Sequence, residues 1–181
     1  DFLARCAAER GCVAAACHGD RLMAYAVLYV PQPGEENYGV ELDLPQSELA
    51  HVSHLAGSGV HPLYRGNRLQ SRLIDLRCSY AHAAGYYHMC GEVLPTNVIS
   101  IRNHLERGYF LKGFKVDRFD LSVYLLHRDT RVSPKPLRGV DRPESSIDDA
   151  ATYRRLLAEG YWGFRVARRA EGWRVVYGRF E

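Results

Sequence analysis

The sequence predicts an α/β fold, a mixed sheet with crossover helices followed by a small αββ unit at the C-terminus. Three observations carry this. Strand-like and helix-like periodicities alternate through the middle of the chain. "CVAAACHGDRLMAYAVLYV" divides around His18-Gly19-Asp20 into two strands, a hairpin signature. After the Pro- and Arg-rich "DTRVSPKPLRGVDRPESS", one helical and two alternating segments close the chain.

The elements follow in order. "FLARCAAER" reads as a helix over Phe2 to Arg10, ended by Gly11. In the hairpin, the second strand is apolar on both faces, from Leu22 to Tyr29, which marks a central strand. "PQPGEENYG" is a loop. "ELAHVSHLAGSGVHP" reads as one long strand, interrupted at Gly57 and Gly59, where a bulge or a close backbone approach is expected. A helix opens at about Asn67, with Leu69, Leu73, Leu76, Tyr80 and Ala83 as its apolar face and Gly85 as its stop.

"YYHMCGEVL" is the next strand, with Gly91 inside it. "TNVISIRNHLERG" is a short helix capped by Thr96 or Asn97. Its stripe is Val98, Ile101 and Leu105, and Gly108 ends it. "YFLKGFKV" and "LSVYLLHRD" form a closing hairpin. In the tail, Ser146-x-x-Asp149 resembles a capping box, Gly160 stops the helix, and "WGFRVAR" and "WRVVYGRF" make a hairpin with one solvent face. Residues 1–130 are thus the main domain, 131–145 a linker, and 146–181 an extension. So short an extension cannot hold its own core, so it must pack on the main domain or on a partner subunit.

Composition narrows the class. The chain has 181 residues, 46% hydrophobic and 25% charged, which supports one globular domain with a core. A net charge of +3 is too small to argue for nucleic acid. No apolar run is long enough to span a membrane, and "DFLARCAAERGC" lacks the regions of a signal peptide. Five cysteines, none in a C-x-x-C pair, fit free thiols in a reducing compartment, so a cytoplasmic location is expected. Cys12, Cys17 and His18 lack zinc-ligand spacing, and no G-K-[S/T] follows the glycines, so no metal and no P-loop are expected.

"GVHPLYRGNRLQSRLI" is the chemically loaded stretch. A strand stops near Pro62, and Tyr64-Arg65-Gly66-Asn67-Arg68 leads into a helix. Amides at a helix start, with the helix dipole and Arg65, Arg68 and Arg72 nearby, suit a phosphate or pyrophosphate. Solvated arginines at a plain helix start are the alternative reading of these residues alone.

Two motifs together resemble the GNAT superfamily of acyl-CoA-dependent N-acetyltransferases. The family's pyrophosphate loop, [Q/R]-x-x-G-x-[G/A] after V-x-P, is similar to Val60-His61-Pro62 followed by "YRGNRLQ". Arg65 matches the first position, whereas Arg68 and Gln70 stand where the family has small residues. The family's next motif matches Asn97, Ser100, Gly108 and Tyr109. The resemblance covers roughly residues 12–128 and implies a GNAT-like, mostly antiparallel central sheet flanked by helices. The N-terminal elements look incomplete against that pattern.

The resemblance further implies transfer of an acetyl group from acetyl-CoA to a primary amine by direct attack in a ternary complex. Its implied acyl-CoA residues are Ser58, Gly59, Val60, Arg65, Gly66, Asn67, Arg68, Leu69, Gln70, Asn97 and Ser100. His104 stands seven residues after Asn97, where the family often has a proton-donating tyrosine, and lies off the helix stripe. An imidazolium, with a reference pKa of roughly 6.5, can protonate a thiolate whose thiol has roughly 8.5. Glu92 and His54 are candidates for the general base, with His51 on the opposite strand face. Cys90 reads as a buried thiol rather than a nucleophile. The acceptor is a small-molecule or peptide amine. Glu35, Glu36, Glu41, Asp43 and Glu48 form an acidic stretch that can attract a cation or simply face solvent. No membrane partner is expected, nucleic acid is disfavoured, and a homodimer is possible. The rival reading, which Arg68 and Gln70 favour, is an inactive GNAT-like module that binds acyl-CoA or nucleic acid.

Overall fold

The computed structural model describes residues 10–117 and 119–181. The helix expected over residues 2–10 falls almost wholly outside them. The chain divides into two compact units, one up to Gly91 and one from Glu92. Together they hold nine strands among the described residues, in an α/β fold whose sheet is mixed but mostly antiparallel and flanked by helices. None of the described helices is long and apolar enough to cross a membrane.

In the first unit the strand order is β1 (Gly11–His18), β2 (Arg21–Tyr29), β3 (Val52–Val60), β4 (His88–Val93). The first two pairings are antiparallel and the third is parallel. Gly19, with φ of 57°, makes the tight turn between β1 and β2. Parallel pairing of β3 and β4 requires a crossover, and helix α2 (Leu69–Ala83) supplies it. Small residues on the strands let that helix come close: Ala14, Ala24 and Ala26 bury against Leu73, with Ala16, Val60 and Leu69 around them.

Three expectations for this unit are corrected. The segment before β3 is not strand throughout, because Gln46–His51 forms a 3-10 turn behind Pro45. The loop before it contains a one-turn helix, α1 (Tyr38–Glu41), capped by Asn37. The buried face of α2 is Ser71, Leu73, Ile74, Arg77, Cys78 and Ala81. Leu76 and Tyr80 are instead 54% and 44% exposed. Arg77 takes the place of an apolar residue by donating a guanidinium N–H to the Val27 carbonyl at 2.9 Å.

The second unit contains helix α3 (Val98–Leu105), β5 (Phe110–Val116), β6 (Ser122–Asp129), β7 (Glu144–Ser146), helix α4 (Ala150–Ala158), β8 (Trp162–Arg169) and β9 (Gly172–Gly178). Its strands run in the order β6-β5-β8-β9-β7, all antiparallel. The C-terminal αββ element therefore extends the sheet beyond β5, with β8 beside it. Residues 131–145 run along its far side: the Lys135 amide donates to the Glu181 carbonyl at 3.0 Å, and the Tyr177 amide to the Pro143 carbonyl at 3.0 Å. The cap of α4 is Asp149, which accepts the Thr152 amide at 3.0 Å. Ser146, expected to cap it, instead bonds Asp148 and belongs to β7.

Three buried tyrosines fasten this unit. Tyr153 of α4 donates to the Gly113 carbonyl at 2.9 Å, Tyr124 donates to the Ile147 carbonyl, and Tyr177 pairs with the Ser145 hydroxyl at 2.6 Å. The Tyr124 and Tyr153 ring centroids lie 4.4 Å apart, with the planes tilted by 38°. Each phenol keeps its polar end satisfied, which is what makes so much aromatic burial tolerable.

Removal of residues 131–181 should give insoluble or strongly destabilised protein, because β5 would lose its neighbour and Tyr124 its partner. Yield and thermal melting of the truncation check this, and a soluble, fully active truncation would contradict it. Alkaline titration probes the tyrosines. Burial pushes the hydroxyls of Tyr124 and Tyr153 up in pKa and that of Tyr177 to about 12. A raised folded pKa means stability present below the unfolded value of roughly 10 and lost as pH rises beyond it. Tyrosinate absorbance from these three should appear only with loss of folded structure. Earlier ionisation in the intact fold would contradict it.

Candidate active site

The turn from β3 into α2 is built in the first unit. His61, Pro62 and Tyr64 form a short 3-10 turn, in which the His61 ring accepts the Leu63 amide at 3.3 Å. Arg65, Gly66, Asn67 and Arg68 are all exposed. Asn67 braces the turn by donating its side-chain amide to the Tyr64 and Arg65 carbonyls at 3.1 and 3.4 Å. It does not open the helix, as the sequence pattern predicts; α2 begins two residues later, with Arg68 as its N-cap.

Arg68 is the informative residue. Its backbone is left-handed, with φ 56° and ψ 22°, and Gly66 has φ of 84°. A glycine at position 68 would adopt this at no steric cost, whereas an arginine is disfavoured there by about 1 kcal/mol. The departure therefore keeps the turn's geometry and adds an exposed cation. Arg68 closes the first helical bond by accepting the Arg72 amide at 3.1 Å. Its side chain makes no capping bond, and no acidic residue lies in the first turn. Helix geometry leaves first-turn amides without acceptors inside the helix, and here they meet a field of positive charge from Arg65, Arg68 and Arg72.

Next to this turn, β3 changes its pairing. Its parallel ladder with β4 runs from Val52↔His88 to His54↔Cys90. Beyond that, residues 55–60 are paired with β2. On the β2 side, Val27 faces Gly57 and Leu28 faces Leu55, so Ala56 is the extra residue of a bulge. The expected irregularity at Gly57 is this bulge. Gly59 serves packing: a Cβ there would lie 2.8 Å from the Tyr25 ring. Gly91 likewise makes room for Leu55, whose Cβ would be 2.9 Å from an added methyl. Ser58, Gly59 and Val60 thus lie on a stretch of β3 that has left the β4 ladder.

In the second unit, Asn97 caps α3 by accepting the Ser100 amide at 3.2 Å. The sequence places His104 away from the buried stripe, and here the structure differs. The buried face is Ser100, Ile101, His104 and Leu105, with His104 only 5% exposed, and Val98 is half-buried. Burial is tolerable because Nδ1 of His104 meets the Ser100 carbonyl at 2.8 Å. A carbonyl can only accept, so Nδ1 carries a proton and Nε2 is the nitrogen that titrates. The Tyr109 ring meets the imidazole edge-on at 5.2 Å. Glu92, in the same unit, is held by the Lys115 ammonium, with Oε1 to Nζ at 2.8 Å. Lys115 is not signalled as a partner by sequence spacing, since its contact with Glu92 is tertiary.

The other candidates are accounted for in the first unit. His54 is buried, and its Nε2 accepts the Tyr38 amide at 3.1 Å. His51 gives its Nδ1 proton to the Gly85 carbonyl at 2.8 Å. Glu48 and Glu35 of the acidic stretch are engaged. Glu48 bonds His88 at 2.9 Å, and Glu35 takes Arg10 at 2.8 Å, the Tyr29 hydroxyl and the Gln32 amide. The Tyr29 hydrogen bond above all holds the Glu35 carboxyl below the usual range. Cys12, Cys17, Cys78 and Cys90 form no disulfide with one another, and Cys90 is fully buried. Among the described residues no three His, Cys, Asp or Glu side chains are placed to hold a metal ion.

Comparison with known proteins bears on this arrangement. The model of the acetyltransferase (GNAT) family matches residues 1–109. No curated protein matches the chain. Similar folds occur in an acetyltransferase of the GNAT family from Streptococcus pneumoniae, at 16% identity and TM-score 0.56, covering 71% of this chain and 72% of that one. A putative streptothricin acetyltransferase from Bacillus anthracis, solved in complex with acetyl coenzyme A, is 13% identical with TM-score 0.55, covering 71% and 69%. An IAA acetyltransferase from Bacillus cereus is 12% identical with TM-score 0.53, covering 67% and 79%. At these identities the likeness speaks to fold alone. The family match, which takes in well over half of the chain, speaks to kind: this chain belongs to the GNAT family of acetyltransferases.

Proposed function

We propose that the protein transfers an acetyl group from acetyl-CoA to a primary amine, by direct attack in a ternary complex. The observation that carries this is the exposed turn from β3 to α2, in which a left-handed Arg68 preserves a glycine-like bend beside Arg65 and Arg72. That turn suits a pyrophosphate: first-turn amides, a helix N-terminus and Arg65, Arg68 and Arg72 lie close together along the chain, with no acidic residue in the first helical turn. Arg65, Gly66, Asn67, Arg68, Leu69 and Gln70 would hold the phosphates. Ser58, Gly59 and Val60 offer strand backbone to the pantetheine arm, and Asn97 and Ser100 shape the start of α3.

Acetyl-CoA supplies the acetyl group as a thioester whose thiol is the leaving group. The amine nitrogen forms the new bond to the carbonyl carbon as the carbon–sulfur bond breaks. Glu92 is assigned to accept the amine's proton, directly or through water, while Lys115 fixes its other oxygen. His104 is assigned to donate a proton from Nε2 to the departing thiolate. The acceptor is a small-molecule or peptide amine. Cysteines outside any C-x-x-C pair fit a cytoplasmic location, and a homodimer is compatible with this reading.

Three measurements test it. Calorimetry with acetyl-CoA should detect binding, and a complex should place the pyrophosphate at residues 65–70. No binding at millimolar ligand, or a pyrophosphate elsewhere, defeats the proposal. Arg68→Gly should raise thermal stability by relieving the left-handed arginine, yet weaken acetyl-CoA about five-fold by removing an exposed cation. Unchanged affinity would make Arg68 incidental. His104→Phe should lower kcat by roughly 10² with little change in acetyl-CoA affinity. With wild type, the rate should fall as pH rises through the imidazole pKa. His104→Tyr should retain part of the rate and move that limb upward. A phenylalanine variant as fast as wild type would show that the thiolate takes its proton elsewhere.

A further inference from the structure

His54 stands apart from the proton-transfer roles above. Its imidazole is 6% exposed, and its Nε2 accepts the backbone N–H of Tyr38 at 3.1 Å. That N–H opens α1, and helix geometry gives it no acceptor within the helix. The two rings lie face to face, with centroids 4.0 Å apart and planes 10° from parallel. One histidine thus supplies both an acceptor and a stacking surface for the first residue of the helix.

The chain around Tyr38 is close-fitted. Asn37 accepts the Gly39 amide at 2.9 Å and donates its side-chain amide to the Leu49 carbonyl at 3.1 Å. A Cβ on Gly39 would lie 2.8 Å from Val52 and 2.9 Å from Leu49. The connection between β2 and β3 is therefore folded back on the start of β3, and His54 is its buried polar anchor.

An acceptor nitrogen cannot carry a proton. The bond to Tyr38 requires the imidazole to be neutral, with its hydrogen on Nδ1. Protonation would turn Nε2 toward the amide as a second donor and break the contact. Among the groups around the ring are the Tyr38 and Tyr29 rings, the latter at 6.4 Å, and Cys90 is the register partner of His54 on β4. Glu35 and Arg10, behind Tyr29, are paired with one another.

We propose that His54 is a proton-sensitive latch: neutral, it holds the β2–β3 connection onto β3; protonated, it releases α1. The inference is independent of the acetyl-transfer reading, since it concerns only a hydrogen bond within the first unit. Should activity fall in acid, this latch would be a source of the loss separate from His104.

Hydrogen exchange of the Tyr38 amide, corrected for its intrinsic rate, tests it. An ordinary imidazole is about nine-tenths neutral at about pH 7.5 and about nine-tenths protonated at about pH 5.5. Protection of the amide in wild type should fall at least about five-fold between these values, with the strand amides of β1 and β2 unchanged. In His54→Gln the side-chain carbonyl can accept the same N–H but does not titrate, so protection should no longer depend on pH. In His54→Phe the stacking ring remains without an acceptor, and the amide should be unprotected at both values. Equal wild-type protection at both, or wild-type protection in His54→Phe, overturns the proposal. If that variant does not fold, nitrogen NMR of wild type decides: a bare Nε2 at neutral pH is expected, and an Nε2–H overturns it.

Discussion

A left-handed residue at the end of a strand governs the first unit. Between Val60 and Leu69 the chain must leave β3, reverse over the sheet and enter α2. Arg68, at φ 56°, makes the final bend. The direction it gives α2 decides which face meets the alanines of β1 and β2, and so how closely the helix packs. It also decides where the helix returns the chain, and hence that β4 runs parallel to β3. The same bend presents the first turn of the helix to solvent among arginines. Fold and candidate anion seat are consequences of one backbone conformation, held by an amino acid that does not favour it.

That cost has a physical logic. Left-handed arginine, like charges at Arg68 and Arg72 one turn apart, and cations at the positive end of a helix all disfavour the free protein. A polyanion in the turn, as proposed above, would offset the two electrostatic terms. Strain of this kind is tolerated where surrounding structure imposes it, and Asn67, bridging the Tyr64 and Arg65 carbonyls, does so here. In the second unit stability is arranged differently. Tyr124, Tyr153 and Tyr177 each bury a ring and end on a backbone or serine oxygen, so the αββ element is joined to β5 and β6 by both area and directed bonds.

Much of this was legible in the sequence, and the failures have reasons. The hairpin at Gly19, the stop at Gly85 and the cap at Asn97 rest on local chemistry: positive φ for the glycines, an amide acceptor for the asparagine. Local causes leave local signatures. The buried face of α2 does not, because Arg77 lies at its centre and pattern matching counts arginine as polar; what buries it is the Val27 carbonyl, a tertiary partner. His104 was expected off the stripe for the same reason, and its burial depends on a carbonyl one turn back. The cap of α4 moved from Ser146 to Asp149 because Ser146 is drawn into pairing with β9. The strand–turn–helix geometry of the candidate anion seat was legible because it is local. The partners of Glu92 and His54 were not, since they come from distant chain segments.

Two of the buried histidines, His54 and His104, show how far backbone contacts set side-chain chemistry. Both carry their hydrogen on Nδ1, but for opposite reasons. At His104 a carbonyl takes the Nδ1 proton and thereby makes Nε2 the nitrogen of exchange. At His54 an amide proton occupies Nε2 and thereby forces the hydrogen onto the other nitrogen. The first arrangement leaves protonation compatible with the fold, because an imidazolium still donates from Nδ1 to the Ser100 carbonyl. The second does not, because an imidazolium has no acceptor to offer Tyr38. The same residue type, equally buried, is therefore suited to carry a proton in one unit and unsuited in the other. Of His54 and His104, His104 is the one whose backbone contact accommodates both charge states.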